Sequence, residues 1–422
     1  MHKIFVFTFF LAFTGHAQVE TGRKVVETLC SPGFHGRGYV MGGDSIAAEY
    51  LAKTFKEMGC SFFDENPFQE FSFQVNTFPR LMFLSVQGKT LNPGTDYVVN
   101  PASPLANLDS LKVFKLQEND VFDANKLLEI KQLLWNKSTR YALAVDYSFW
   151  KNDSLKLAKK TVQELEIKAV IFELVDGKFT WSVSQIQDAF PSIQVQKNLL
   201  PIIDTSFVSV RIEAYLKEHR ARNVVAYVPA KKKSDKYFVF SAHYDHLGRM
   251  GKHAYFPGGN DNASGTAMLL EMARHYVKNP SKVNVVFIAF AGEEVGLLGS
   301  HYFTQNPIFP LSQIRFLFNL DIMGSGEEGA TIVNATVFPK QFSKLDKINQ
   351  KYHYLPQIKQ RGKAANSDHY FFTEKGVPAF FIYTMGPNKH YHDVADNYEN
   401  LSFNKFNEIV SLLIKFEKAI NR

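Results

Sequence analysis

After Arg222 the chain alternates apolar runs with helical patterns, and that alternation limits the fold more than any other feature. The runs are Val224–Val228, Tyr237–Ser241, Val283–Phe290, Phe316–Leu320 and Val377–Tyr383, and the helical patterns cover Ser264–Val277 and Asn404–Ile420. Strands without polar alternation are buried on both faces, as in a sheet covered by helices. The pattern predicts an α/β fold with a mixed central sheet flanked by helices. With 422 residues, 45% of them hydrophobic and 21% charged, the composition excludes disorder, collagen and coiled coil.

Upstream, Ile46, Tyr50, Leu51, Phe55 and Met58 form a helical stripe that Gly59 is placed to cap, so the mature chain is expected to open with a helix there. Met1–Ala17 has a lysine, an apolar run from Ile4 to Phe13 and a Gly15-His16-Ala17 end, the pattern of a signal peptide for export to the periplasm or beyond the cell. That apolar run is half of what a spanning helix needs, which predicts no stable membrane association. Residues 18–87 would then begin the main domain and 217–422 would complete it. Between them, residues 88–216 carry their own strand and helix signals (Tyr141–Val145, Ser154–Ile167, Ala169–Leu174), almost no histidine and no grouped acids. They predict an inserted auxiliary α/β domain without chemistry of its own.

The formal charge of +7 is mild. Its one dense basic run, Lys231-Lys232-Lys233, fits a solvated hairpin better than a nucleic-acid contact, so no nucleic-acid partner is expected. Cys30 and Cys60 are the only cysteines, and in an oxidising compartment they are candidates for a pair.

The chemistry gathers at the carboxyl ends of the predicted strands, where open α/β sheets place their ligands. Tyr237–Ser241 runs into His243, Asp245 and His246. Val283–Phe290 runs into Glu293-Glu294, Phe316–Leu320 ends on Asp321, and Val377–Tyr383 leads to His390-Tyr391-His392. Gly258-Gly259-Asn260-Asp261 opens a helix on the same edge. Imidazoles and several carboxylates at one edge repel or desolvate one another unless cations sit among them, and nitrogen and oxygen donors without thiolate suit zinc, with manganese or cobalt as alternatives.

Six segments, SAHYDHLG (241–248), GGNDNASG (258–265), AGEEVGLLGS (291–300), NLDIMG (319–324), SDHYFF (367–372) and HYHDVADNYENL (390–401), together resemble the M28 metallopeptidases, which include secreted di-zinc aminopeptidases with a zinc exopeptidase fold. The resemblance implies two zinc ions bridged by Asp261, with His243 and Asp321 completing one site, Glu294 and His392 the other, and Glu293 as general base. It implies peptide substrates cleaved at the N-terminal residue. Tyr391 resembles a tyrosine that, in some relatives, donates to the developing oxyanion. The region 88–216 looks like the protease-associated insert of some relatives.

By spacing, Asp245 is expected to orient His243, and Asp396 to orient His392, through the ring nitrogen facing away from the metal. His246, His369 and His390 are not expected to be ligands, and His253, His275 and His301 read as surface or helix-face residues. Asp393 and Asn397 depart from the family pattern at positions that supply no metal donor. Three other functions stay open: a carboxypeptidase, which needs a cation such as Arg249 or Arg361 for the substrate carboxylate; a one-zinc glutaminyl cyclase; and, from another class, an exported binding protein whose chemistry has lapsed.

Overall fold

The computed structural model describes residues 5–135, 140–165, 169–199 and 207–422, with side chains from residue 18 onward. The larger core lies on an eight-stranded mixed sheet. From edge to edge its strands are Phe68–Thr77, Tyr215–Val228, Asn284–Phe290, Tyr237–His243, Ile314–Leu320, Ala379–Met385, Gly329–Val333 and Ile358–Gln360. The third to sixth run parallel, and antiparallel neighbours flank them on both sides.

Helices cover both faces, which is why the central runs show no polar alternation. Successive residues of Tyr237–His243 point to opposite sides. Phe238 and Phe240 enter a core shared with the helices Gly43–Met58, Gly265–Lys278 and Phe406–Ile420. Val239 enters a second core with Phe303 and Phe372, from the helices Leu298–Gln305 and His369–Glu374.

Several elements differ from the sequence expectation. A helix, Phe5–Cys30, precedes Gly43–Met58, and its Val25, Val26 and Leu29 are buried, so the folded chain does not open at the later helix. The strand expected from Val224 starts at Tyr215, because residues 215–223 form a ladder with Phe68–Thr77 in which polar side chains alternate outward. The exposed Lys231–Lys233 loop is not a hairpin turn, since the strand Asn284–Phe290 lies between the two strands it joins. Cys30 and Cys60 are both free and buried. Each packs as a small apolar side chain, and burial pushes both thiols up to about 12.

A second eight-stranded sheet has the order Lys89–Thr90, Met82–Val86, Phe207–Ile212, Ala106–Lys115, Tyr141–Val145, Ile171–Val175, Ser192–Gln196 and Tyr97–Val99. Ala106–Lys115, Tyr141–Val145, Ile171–Val175 and Ser192–Gln196 are parallel to one another. The helices Ala124–Leu134 and Asn152–Glu164 close a small core around Leu143, Val145 and Trp150. This sheet already begins at Met82, and Tyr215 already pairs with Thr77 in the first sheet. Among the described residues no helix is long and apolar enough to cross a membrane.

Candidate metal centre

The parallel strands of the first sheet all deliver their C-terminal ends to one edge, so residues far apart in sequence meet there. His243 is the last residue of its strand, and Asp321 follows Leu320. Glu293 and Glu294 stand on a turn after Phe290, closed by Gly296 and Leu297 N–H groups donating to the Glu293 carbonyl. Asp261 enters from the turn before the helix Gly265–Lys278, through a cis Asp261–Asn262 peptide bond. Gly258 opens that turn at φ 60°, and a Cβ there would lie 2.4 Å from the His246 ring, so only glycine fits. Asn262 ties the turn to the neighbouring strand: its Nδ2 donates to Leu320 O (3.0 Å) and its Oδ1 accepts from Ile322 N (3.2 Å).

The two carboxylate oxygens of Asp261 face different partners. Oδ1 lies 3.2 Å from His243 Nε2, which is also 3.3 Å from Asp321 Oδ1. Oδ2 lies 3.0 Å from His392 Nε2, which is also 3.1 Å from Glu294 Oε2. Two donor groups therefore share one bridging carboxylate. Donors bound about 2.0–2.1 Å from a tetrahedral zinc stand about 3.3 Å from one another, so both groups have the spacing of neighbouring ligands.

The electrostatics ask for positive charge. Burial works against the protonated His243 ring, yet Glu293, Asp321 and Asp261 outweigh it and hold its pKa well above the ordinary value. Burial likewise opposes charge on His392, but Glu294 and Asp261 carry it up to about 11. Burial would raise Glu294, while His392 and His246 bring it down to about 2. Glu293 is different: burial, reinforced by Glu294 and Asp368 and only partly offset by His243, pushes it well above the carboxylate range. The residues present fit a pair of zinc ions, whose charge would take the place of the protons that this cluster otherwise holds.

The two carboxylates expected to orient the histidines do something else. Asp245 accepts from the Tyr39 hydroxyl (2.6 Å) and from the N–H groups of Glu293 and Glu294 (3.2 and 3.3 Å), so it fixes the glutamate turn. His243 Nδ1 instead faces the Asp245 main-chain carbonyl at 3.2 Å, with the nearest carboxylate oxygen at 3.8 Å. Asp396 accepts from the N–H groups of Asn260 and Asp261 (2.8 and 3.0 Å) and so holds the bridging turn. In both places a loop carboxylate reached unpaired main-chain donors before it reached a ring.

The partner of His392 comes from the second sheet's side of the molecule. His392 Nδ1 lies 2.9 Å from the Trp181 carbonyl, and Trp181 N–H donates to the His392 carbonyl, also at 2.9 Å. Trp181 is itself anchored by an indole N–H bond to Val99 O (2.7 Å) and by stacking on Phe256 at 4.6 Å. Nearby, Lys178 Nζ reaches Lys389 O (2.6 Å) and Asp393 (3.3 Å), and Gln185 Nε2 reaches Val295 O (2.9 Å). Residues 178–185 thus touch both the histidine loop and the glutamate turn, so the region expected to have no chemistry of its own nevertheless supports the site.

His246, not expected from sequence to be a ligand, also belongs to the site: with Asp261 and Glu294 it offers a group of donor atoms spaced to hold a metal ion. It is fully buried, and its Nδ1 lies 2.6 Å from Glu294 Oε1, the oxygen that His392 leaves free. Its place three residues after His243 in the same loop was the sequence signal for it. Arg37, fully buried, donates to the carbonyls of Tyr244, Leu29, Pro257 and Gly258 at 2.6–3.1 Å and joins the His243 loop to the Asp261 turn. Tyr391 lines the pocket half-exposed, its ring stacked on His392 at 4.0 Å. His390 turns away to Asp393 at 3.2 Å, and His369 is buried with burial pulling its pKa down to about 3. No metal-type group among the described residues contains either.

Residues 223–416 match the sequence profile of peptidase family M28. These residues, a little under half of the chain, are thus similar to that family. Aminopeptidase YwaD of Bacillus subtilis (strain 168) is 35% identical over 176 residues, 38% of this chain and 36% of its own length. A probable leucine aminopeptidase of Arthroderma otae is 26% identical over 253 residues, 56% of this chain and 64% of its own. The chain thus spans between about a third and two thirds of these relatives' lengths. Among solved structures, a zinc aminopeptidase from Bacillus subtilis superposes with a TM-score of 0.67 at 17% identity, covering 95% of this chain and 94% of that one. An aminopeptidase from an Aneurinibacillus strain gives 0.61 at 18% identity, covering 94% and 93%. The fold of nearly the whole chain, the second sheet included, is therefore shared with these structures.

Proposed function

We propose that the protein is a zinc-dependent aminopeptidase that removes N-terminal residues from peptides, with two zinc ions held by His243, Asp261 and Asp321 on one side and by Asp261, Glu294 and His392 on the other. The observation that carries this reading is the division of the Asp261 oxygens between the two histidines, 3.2 and 3.0 Å away. The similarity of residues 223–416 to family M28, and of the chain to aminopeptidases, supports it.

A zinc pair held by these residues would supply a water of lowered pKa and a Lewis acid for the scissile carbonyl. Glu293 faces the same pocket as His243, Asp261 and Asp321. Its raised pKa suits a group that takes the proton of the attacking water and returns it to the leaving amine. Asp245 keeps it in place by binding its N–H. Tyr391, at the pocket mouth, is the donor available to the oxygen that gains negative charge.

Glu293→Gln is the test. It removes the base but leaves all five metal donors, so zinc content should stay at two per chain while kcat on a free-amine dipeptide anilide falls by about 100- to 10,000-fold. Acetylating the substrate amine should abolish turnover by the unaltered enzyme. Near-normal turnover by Glu293→Gln, or cleavage of the acetylated substrate, would overturn the assignment.

A further inference from the structure

We propose that Arg361 receives a carboxylate group of the substrate inside the pocket that opens on the metal centre. This rests on the aminopeptidase reading and extends it to the chemical class of substrate.

The pocket has a volume of about 350 Å³. Its acids, Asp261, Glu293 and Asp321, are committed to the metal centre. Away from them the wall combines apolar surface from Ile322 and Phe381 with one guanidinium, that of Arg361. The main chain that presents it is fixed. Arg361 N–H donates to Ile332 O (2.9 Å), and Asn334 N–H to Gly362 O (3.3 Å), which holds residues 361–362 against the strand Gly329–Val333. Arg361 is therefore carried by the sheet.

Among the described residues no carboxylate lies within 4.0 Å of that guanidinium. The other cations nearby are occupied. Lys363 pairs with Glu374, and Lys389 Nζ donates to Gly386 O (3.2 Å). Arg249, the other cation considered from sequence, donates to Lys252 O (2.5 Å), lies 3.3 Å from His35 and stacks over Tyr255. It does not line this pocket. Arg361 is thus the guanidinium on the wall with its fork free for an incoming anion.

A planar guanidinium binds a carboxylate through two parallel N–H bonds, and Arg361, exposed on the pocket wall, can present both to an incoming group. An amide of the same shape cannot accept both bonds with a full charge, so glutamate is favoured over glutamine and aspartate over asparagine. Two sources present such a group: the side chain of an acidic N-terminal residue, and the α-carboxylate of a very short peptide. They differ in what must be changed to lose it.

The experiment compares kcat/KM of the unaltered zinc enzyme, Arg361→Gln and Arg361→Glu on two substrate pairs: Glu- against Gln-anilide, and a dipeptide with a free against an amidated C-terminus. The expected result is a preference of about tenfold or more for the carboxylate member of one pair, expressed mainly in KM. Arg361→Gln should reduce that ratio to about one, and Arg361→Glu should invert it and favour Lys-anilide. Loss confined to the first pair identifies an acidic N-terminal residue, and loss confined to the second identifies the α-carboxylate. If the unaltered enzyme prefers neither member, or if Arg361→Gln leaves both ratios in place, the proposal is wrong although the aminopeptidase reading stands. Failure of the unaltered enzyme on every anilide and dipeptide would instead bring down that reading, and this one with it.

Discussion

Each of the two sheets has eight strands, four of them parallel in one block, and each gathers acids at the C-terminal edge of that block, yet among the described residues only one brings together donors spaced to hold a metal ion. In the second sheet Asp146 follows Val145, Asp176 follows Val175 and Lys197 follows Gln196. Lys197 Nζ lies 2.5 Å from Asp146 and 3.8 Å from Asp176. Burial alone would raise the Asp146 pKa, but Lys197 and the Ser148 hydroxyl and N–H hold it below the ordinary value. In the first sheet no lysine or arginine pairs with Asp261, Glu293, Glu294 or Asp321 among the described residues; the only basic partners are histidines. Acids at a sheet edge are therefore not diagnostic by themselves. What separates the two edges is whether the chain brings its own cation.

The largest effect expected from breaking this contrast is at Asp261. Asp261→Ala removes the shared carboxylate, and both zinc equivalents should be lost, with turnover down about a thousandfold or more. Emission from Trp135, Trp150 and Trp181, the only tryptophans, should meanwhile remain that of the folded protein. Retention of two tightly bound zinc ions would contradict the bridge.

A smaller effect tests the help that one region gives the other. Trp181→Ala loosens the main chain that grips His392 and should weaken the second zinc about tenfold in chelator competition, leaving the first unchanged. Lys178→Met, at a half-exposed contact, should cost about threefold. Equal weakening of both zinc ions would mean general destabilisation instead of a positioned histidine.

The smallest effect sharpens the other half of the contrast. Lys197→Met should lower the Tm read by tryptophan fluorescence, while kcat/KM stays within about twofold because the change is remote from the metal centre. Asp146 has its pKa depressed in the folded state, so its pairing contributes stability above the unfolded carboxylate value of 3.8, and that contribution is lost as the pH falls through the folded value. The difference in Tm between the two proteins should accordingly be full at pH 7 and close below about pH 4. A difference that grew on acidification would have the wrong sign.

Much of the first sheet and its donor cluster was legible because its signals are carried by side-chain identity. Apolar runs marked the central strands; His243, Glu293, Glu294, Asp321 and His392 follow those runs and Asp261 stands in the turn that opens a helix, while the family resemblance separated these six from the polar residues beside them. The last two strands of that sheet, Gly329–Val333 and the edge strand Ile358–Gln360, were not legible, since they are short and take their shape from pairing with a neighbour already in place. The supporting contacts were misread for a related reason. Asp245 and Asp396 have a side chain suited to a ring nitrogen, but main-chain N–H groups lay nearer, and no spacing rule reveals which donor a carboxylate will meet. Trp181 was beyond reach altogether, because it supports His392 with peptide atoms that every residue possesses.

The reciprocal bonds between Trp181 and His392 join positions 211 residues apart. A growing polypeptide makes the tryptophan long before it makes the histidine, and the intervening stretch contains His243, Asp261, Glu294 and Asp321. The donor cluster is therefore complete only once the last loop has met the segment around Trp181, after nearly the whole chain has been made.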